Sequence, residues 1–231
     1  MRVLFDNLIF SSSVSADNEN ANYPVTNLQS AHLTKIYKST TTGAAITITF
    51  PTVQTVNCCY IGFTNASAAT VALYNASDTL IKTVTLDTLR GGKTFTAALL
   101  VKYAIVTLAA SDTLYVGTIG IGNNYTMPDP DNGIIAKPVD RSSRDFSNGG
   151  QLYANYRAVV QQIDATYSQL LSGTYNEIFA LFAAARHPVW IDVYEENTGI
   201  INPLYCDMTM DSDPNQSWKR YQMKFTFIEV R

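Results

Sequence analysis

Short runs of alternating apolar and polar residues, each closed by a turn signal, constrain the first half of this 231-residue chain more than any other feature. Residues 45–50 read Ala-Ile-Thr-Ile-Thr-Phe, and residues 70–74 read Thr-Val-Ala-Leu-Tyr. A period of two sends successive side chains to opposite faces, which is the pattern of a half-buried strand. Residues 59–63, 80–86, 103–108 and 114–121 are further strand candidates. Between them stand Asn65-Ala66-Ser67, Asn75-Ala76-Ser77-Asp78, Arg90-Gly91-Gly92 and Ala110-Ser111-Asp112, all residue types that favour turns. No helical period appears before residue 126. Strands at this spacing predict a sandwich or barrel.

Residues 123–133, Asn-Asn-Tyr-Thr-Met-Pro-Asp-Pro-Asp-Asn-Gly, are the best boundary, because two prolines and a Gly hold the chain in turn or extended conformations. The charge balance shifts there: seven Lys/Arg face six Asp/Glu before residue 126, and nine face thirteen after it. The chain is therefore divided into domains 1–125 and 126–231. In the second domain residues 151–163 begin as strand, and residues 167–171 lead into a helix. Thr174-Tyr-Asn-Glu177 has the spacing of a capping box, and Ile178, Phe179, Leu181, Phe182 and Ala185 make an apolar face ending at His187-Pro188. Three strands are expected at 189–194, 204–210 and 220–230. In the last, Tyr221, Met223, Phe225 and Phe227 fall on one face, and Gln222, Lys224, Thr226 and Ile228 on the other. The predicted fold class is mainly β: an N-terminal β-sandwich plus a C-terminal α+β sheet with one packed helix.

Charged residues are 15% of the chain, well under the roughly 25% of ordinary globular domains. The net charge is −3, so no basic excess exists to hold a phosphate backbone, and sequence-specific nucleic-acid binding is not expected. No run reaches the roughly 18 apolar residues of a membrane helix, so membrane insertion is not expected either. The N-terminal ten residues carry Asp6 within their apolar stretch and make a poor signal peptide. Cys58, Cys59 and Cys206 form neither a disulfide framework nor a CxxC pair, and read as small buried hydrophobes of a chain made in a reducing cytoplasm.

Catalytic signals are thin. His32 and His187 lie in different halves without a nucleophile motif. Asp207, Asp211 and Asp213 crowd one segment, but the Gly and terminal Glu of an EF-hand loop are absent, and a polar turn is the plainer reading. Gly117-Thr-Ile-Gly-Ile-Gly122 is no phosphate loop, since no helical pattern follows, and reads as a strand with small residues at close contacts. Neither a cofactor nor a metal site is expected. Arg141, Arg144 and Phe146, within a polar segment at 141–150, read as an arm that orders on a neighbouring subunit. The 14 tyrosines suit interfaces, sugar-binding faces or ordinary sheets.

The segment Asn22-Tyr-Pro-Val-Thr-Asn-Leu-Gln29 followed by Lys35-Ile-Tyr-Lys-Ser39 resembles the opening of jelly-roll domains in tailed-phage virion proteins, of the discoidin or carbohydrate-binding type. Pro24, Asn27, Leu28 and Ser39 carry the likeness, and Tyr37 stands where a Trp is usual. The second half, with its polar segment, long strands, one helix and final Phe-Ile-Glu-Val-Arg231, is similar to the tail-tube-like sheet of distal tail proteins. The resemblance implies a structural virion protein, not an enzyme, at a phage tail tip. Residues 126–231 would close a homo-oligomeric ring, a hexamer, that extends the tail tube. Residues 1–125 would project outward, with tube, hub and fibre proteins as partners. Arg141, Arg144 and Phe146 would dock on the next subunit, and Gln222, Lys224 and Thr226 would face the lumen. The alternative is a carbohydrate-binding module of a receptor-binding or fibre protein. Its partner would be a host-surface glycan, with Tyr23, Tyr37, Tyr60 and Tyr74 as contact candidates. An enzyme acting through Asp207 or Asp211 is the third reading.

Overall fold

The computed structural model describes residues 1–86, 92–131, 133–140, 142–146, 152–155, 159–185, 188–193, 204–213 and 220–230. The fold is mainly β, with many antiparallel strands and one α-helix among the described residues. By contacts the chain divides into two compact units, Met1–Met127 with Ala184–Tyr205, and Pro128–Ala183 with Cys206–Arg231.

The first unit is a β-sandwich around one core. Its strands are β1 (Arg2–Leu4), β2 (Ser13–Ala16), β3 (Tyr37–Lys38), β4 (Gly43–Thr64), β5 (Ala68–Tyr74), β6 (Leu80–Leu86), β7 (Gly92–Ala109), β8 (Tyr115–Gly122) and β9 (Tyr125–Thr126). The main sheet runs β3-β8-β4-β7-β5-β6, with β2 also on β4. Two stretches expected as separate strands, 45–50 and 59–63, are the ends of the single 22-residue β4. Its register against β7 breaks between Thr49 and Gln54 and again between Val56 and Cys58. Such breaks let a long strand bend, so both ends of β4 line the same core. Ile46, Ile48 and Phe50 from one end meet Val56, Cys59 and Ile61 from the other, together with Val71, Leu73, Val106, Ile119 and Ile121.

The segment around Pro24 closes this core. A 3-10 turn, Val25–Gln29, buries Val25 and Leu28, and the Asn27 side chain donates to the Ile36 carbonyl at 2.9 Å. Ser39 is buried and donates to the Gly43 carbonyl at 3.0 Å. Asn7 does similar work for the N-terminus. It caps the 3-10 turn Leu8–Ser11, donates to the Ile119 carbonyl at 2.8 Å and accepts from the Ile121 N–H at 3.1 Å. A buried amide side chain needs such partners, or its desolvation goes uncompensated.

Strand β14 (Val189–Asp192), expected in the second domain, pairs antiparallel with β1, Leu4 facing Trp190 and Arg2 facing Asp192. β1 also pairs with β9. Trp190 stacks on Tyr60, with ring centroids 5.3 Å apart and 16° between planes. A Cβ on Gly62 or Gly120 would lie 2.7 or 2.6 Å from the Trp190 ring, so both positions need a residue without one. This bears out the small-residue reading of the 117–122 segment.

The second unit holds β10 (Ile134–Asp140), β13 (Val159–Leu171), β16 (Arg220–Glu229) and the part of β15 (Leu204–Asp213) from Cys206 on, hydrogen-bonded in that order. The helix α1 is Ser172–Ala184. Residues 167–171, the end of β13, lead directly into the helix, as expected, but the helix begins before Thr174, which lies inside it and is not its cap. On β16 the expected apolar face is buried at Met223, Phe225 and Phe227. The helix lies on that face: Tyr175 stacks on Tyr221 at 4.6 Å and Phe182 meets Phe225 edge-on at 6.4 Å. The segment read as a polar arm contains β11 (Ser143–Phe146), which forms a hairpin with β12 (Leu152–Asn155).

Candidate functional site

Of the four tyrosines expected to meet a glycan, two are buried. Tyr37 faces the core beside Val116, with 0% exposure, and its hydroxyl donates to the Asn18 carbonyl at 3.0 Å. Tyr60, at 1%, lies against Trp190 and hydrogen-bonds through its hydroxyl with Thr94 and Asn124. Neither ring can reach a ligand, which corrects the expectation for both. One signal was present for Tyr60: it sits in the nearly unbroken apolar run from Cys58 to Phe63, the mark of a strand buried on both faces. Tyr74 is half-buried and stacks on Tyr103, centroids 4.6 Å apart and planes 5° apart. Tyr23 is exposed.

Tyr23 belongs to a group that sequence reasoning missed. β3 pairs with β8 so that Tyr37 faces Val116 and Lys38 faces Tyr115. Tyr37 and Val116 point into the core, so Lys38 and Tyr115 stand on the outer face. The Lys38 ammonium sits 4.2 Å from the centre of the Tyr23 ring, a cation–π contact. Two residues beyond Tyr115, a rise of about 6.6 Å, Gly117 meets Phe63: a Cβ there would come within 2.7 Å of the Phe63 Cβ. Phe63 and Tyr115 are both exposed on this outer face. Phe63 has φ 54°, the left-handed region that a bulky residue rarely adopts. Its neighbours fix that geometry, since Gly62 pairs with Thr118 and Thr64 with Val116 across the kink. The Thr64 hydroxyl also donates to the Tyr115 carbonyl at 2.7 Å, and the Tyr115 N–H donates to Asn65 at 2.9 Å. The result is an aromatic edge of Tyr23, Tyr115 and Phe63 with one cation beside it. Rings with an open face stack on the apolar side of a sugar ring, and Tyr adds a hydroxyl for its polar rim.

The other candidates lie in the second unit. Lys224 is exposed, and Gln222 and Thr226 are half-buried on the polar side of β16. Thr226 donates to Asp164 at 2.9 Å, and Lys137 forms an ion pair with the same carboxylate at 2.9 Å. Burial alone would raise the Asp164 pKa, but hydrogen bonds from Gln162, Lys137 and Thr226 outweigh it and lower it. Arg141 lies outside the described residues, as do the side chains of Arg144 and Phe146. Asp207 and Asp211 stand on strand β15, opposite Ile228 and Lys224, and not in the polar turn expected there. Among the described residues no group of three or more His, Cys, Asp or Glu is arranged to hold a metal ion. His32 is exposed, and His187 lies outside the described residues. All three cysteines are buried. Burial pushes the Cys58 thiol up to about 12 and raises Cys59 and Cys206 as well, so none supplies a thiolate near neutral pH.

No family model matches the chain, and no curated protein matches it. Solved structures similar to about half of the chain include carbohydrate-binding modules with a β-sandwich fold. The lectin-binding domain of lectinolysin, complexed with Lewis b, shares 15% identity, with a TM-score of 0.44 over 54% of this chain and 99% of its own. Chitosan-binding module 1 of a Paenibacillus sp. IK-5 chitosanase/glucanase shares 20%, with a TM-score of 0.43 over 51% and 99%. The family 32 module of C. perfringens NanJ, in complex with galactose, shares 11%, with a TM-score of 0.44 over 52% and 98%.

Proposed function

We propose that the first unit is a carbohydrate-binding module whose ligand rests on the aromatic edge of Phe63, Tyr115 and Tyr23. The observation that carries this reading is the state of Phe63. A bulky ring is held on the outside of the sandwich in a left-handed backbone conformation, over a glycine, next to an exposed tyrosine. Strain of this kind persists only where surrounding structure enforces it, and it gathers at ligand-binding positions. Titration against a panel containing Lewis b, chitosan and galactose oligosaccharides tests the proposal. Binding should weaken at least tenfold in Tyr115→Ala with an unchanged thermal midpoint. Equal affinity in that variant would remove the aromatic edge from the site.

A second reading, a structural subunit of a tailed-phage tail tip, is favoured by a different observation. Among the described residues β10 ends the hydrogen-bonded order of its sheet, and Ile135 on β10 and Val159 on the adjoining β13 are each more than half exposed. An open sheet edge with apolar side chains invites pairing with another chain. On this reading the second unit closes a hexameric ring with tube, hub and fibre proteins around it. Gln222, Lys224 and Thr226 would line its channel, and Arg141, Arg144 and Phe146 would touch the next subunit. Light scattering over a concentration series separates the readings: a climb to a hexamer supports the ring, and a monomer throughout counts against self-assembly.

A further inference from the structure

Resting on the carbohydrate-binding reading, we infer that the aromatic edge selects acidic sugars, with Lys38 receiving the carboxylate of a uronic or sialic acid unit. The geometry points there in three steps. First, Lys38 forms no ion pair with any carboxylate among the described residues, and its ammonium is held at 4.2 Å from the Tyr23 ring centre. A lysine left to solvent samples many rotamers, whereas this one is localised by the ring beneath it, so less freedom is lost when a ligand arrives. The ring takes one side of the ammonium and leaves donors on the others.

Second, the cation stands where a sugar on the aromatic edge would present its substituents. Lys38 is directly across the strand pair from Tyr115, and Phe63 covers Gly117 two residues further along β8. Directly opposite residues have Cβ atoms about 5 Å apart. Lys38 lies between the two tyrosines, opposite Tyr115 in the ladder on one side and donating its backbone N–H to the Tyr23 carbonyl at 3.1 Å on the other, so a sugar reaching from Tyr115 towards Tyr23 passes over the Lys38 side chain.

Third, neither nearby acid forms an ion pair with Lys38, and the Asp17 carboxylate accepts from the Ala45 N–H at 2.9 Å. Asp17 and Glu19 act on the buried Tyr37 hydroxyl, raising its pKa after burial itself, and Glu19 bridges Ser39, whose side chain is buried on the opposite face from Lys38. With a net charge of −3 the chain as a whole does not gather polyanions, so any preference for an acid must come from a local cation.

The test is isothermal titration of the full chain with two matched pairs: trigalacturonic acid against its methyl ester, and 3′-sialyllactose against lactose. The acid of at least one pair should bind at least tenfold more tightly than its neutral partner, and the pair that does so identifies the acid class. The preference should shrink as salt rises from 50 to 500 mM. Lys38→Gln should bring acid and neutral forms within twofold of each other while the thermal midpoint stays in place. Equal binding of both forms by the wild-type chain would overturn the inference and leave the carbohydrate-binding reading standing. So would a preference that survives in Lys38→Gln. Failure of every sugar, neutral and acidic, would overturn both.

Discussion

Two pairs of aromatic residues on the outside of the same sandwich differ in one cross-strand neighbour. On β5 and β7 the register sets Tyr74 directly opposite Tyr103, and the two rings close on each other at 4.6 Å. On β4 and β8 the residue against Phe63 is Gly117, and the next exposed ring on that strand is Tyr115. The first pair satisfies itself. In the second, glycine gives Phe63 a floor but no partner, so its outer face stays open. Inside the molecule a third arrangement completes the series: Tyr60 and Trp190 stack with Gly62 and Gly120 below them, and nothing of either ring reaches the surface. What an aromatic side chain does here depends on what stands across the ladder from it, more than on its being aromatic.

The strongest way to break that comparison is at the buried stack. Trp190→Ala removes a ring packed against Tyr60, Tyr205 and two glycines, and should cost about 3–5 kcal/mol of stability. Denaturant unfolding followed by circular dichroism measures it. A loss under about 1 kcal/mol would mean that the glycine-lined contact is not a packed one.

Next comes Gly117→Ala. The new Cβ would lie 2.7 Å from the Phe63 Cβ, a distance real atoms do not hold, so the ring or strand must move. Overpacking of this kind costs about 1–3 kcal/mol. Glycan affinity should fall with it, because the ring is displaced from the edge. A variant that keeps both its midpoint and its affinity would show that Gly117 is not what positions Phe63.

Tyr74→Ala sharpens the contrast from the other side. Losing a stacked partner should cost about 0.5–1.5 kcal/mol beyond the area exposed, while glycan binding stays within twofold of wild type. Binding that drops tenfold would move the site to the β5–β7 face and return Tyr74 to the role expected of it from sequence.

How much of this could be read from the chain follows the same physics. The alternation of β16 announced its buried face, because every second residue from Met223 to Phe227 is large and apolar. The glycines of β8 announced close contacts, although the ring against Gly120, Trp190, lies seventy residues away and was assigned to the other domain. Pairing of β14 with β1 leaves no local trace, since antiparallel partners need share no sequence neighbourhood. Tyr37 and Tyr60 were misread because tyrosine suits both a core and a sugar face, and only the register decides. Phe63 and Tyr115 were missed for a related reason. The feature that exposes them is a left-handed residue opposite a glycine, and nothing in an apolar run ending Gly-Phe-Thr predicts positive φ at a phenylalanine.

The smallest expected effect isolates that backbone feature. Phe63→Ala and Phe63→Gly both delete the ring, so both should lose glycan affinity alike. They differ in what they leave at φ 54°. An L-residue in the left-handed region carries about 1–2 kcal/mol of strain that glycine does not. Against this, glycine's freer unfolded chain takes back about 0.4–1 kcal/mol. The glycine variant should therefore be the more stable of the two by up to about 1.6 kcal/mol, read as a difference in denaturant midpoint at constant slope. An alanine variant as stable as the glycine one, or more so, would mean that the kink relaxes once the ring is gone. The strain would then belong to the Phe63–Gly117 contact itself and not to the strand pairing around it.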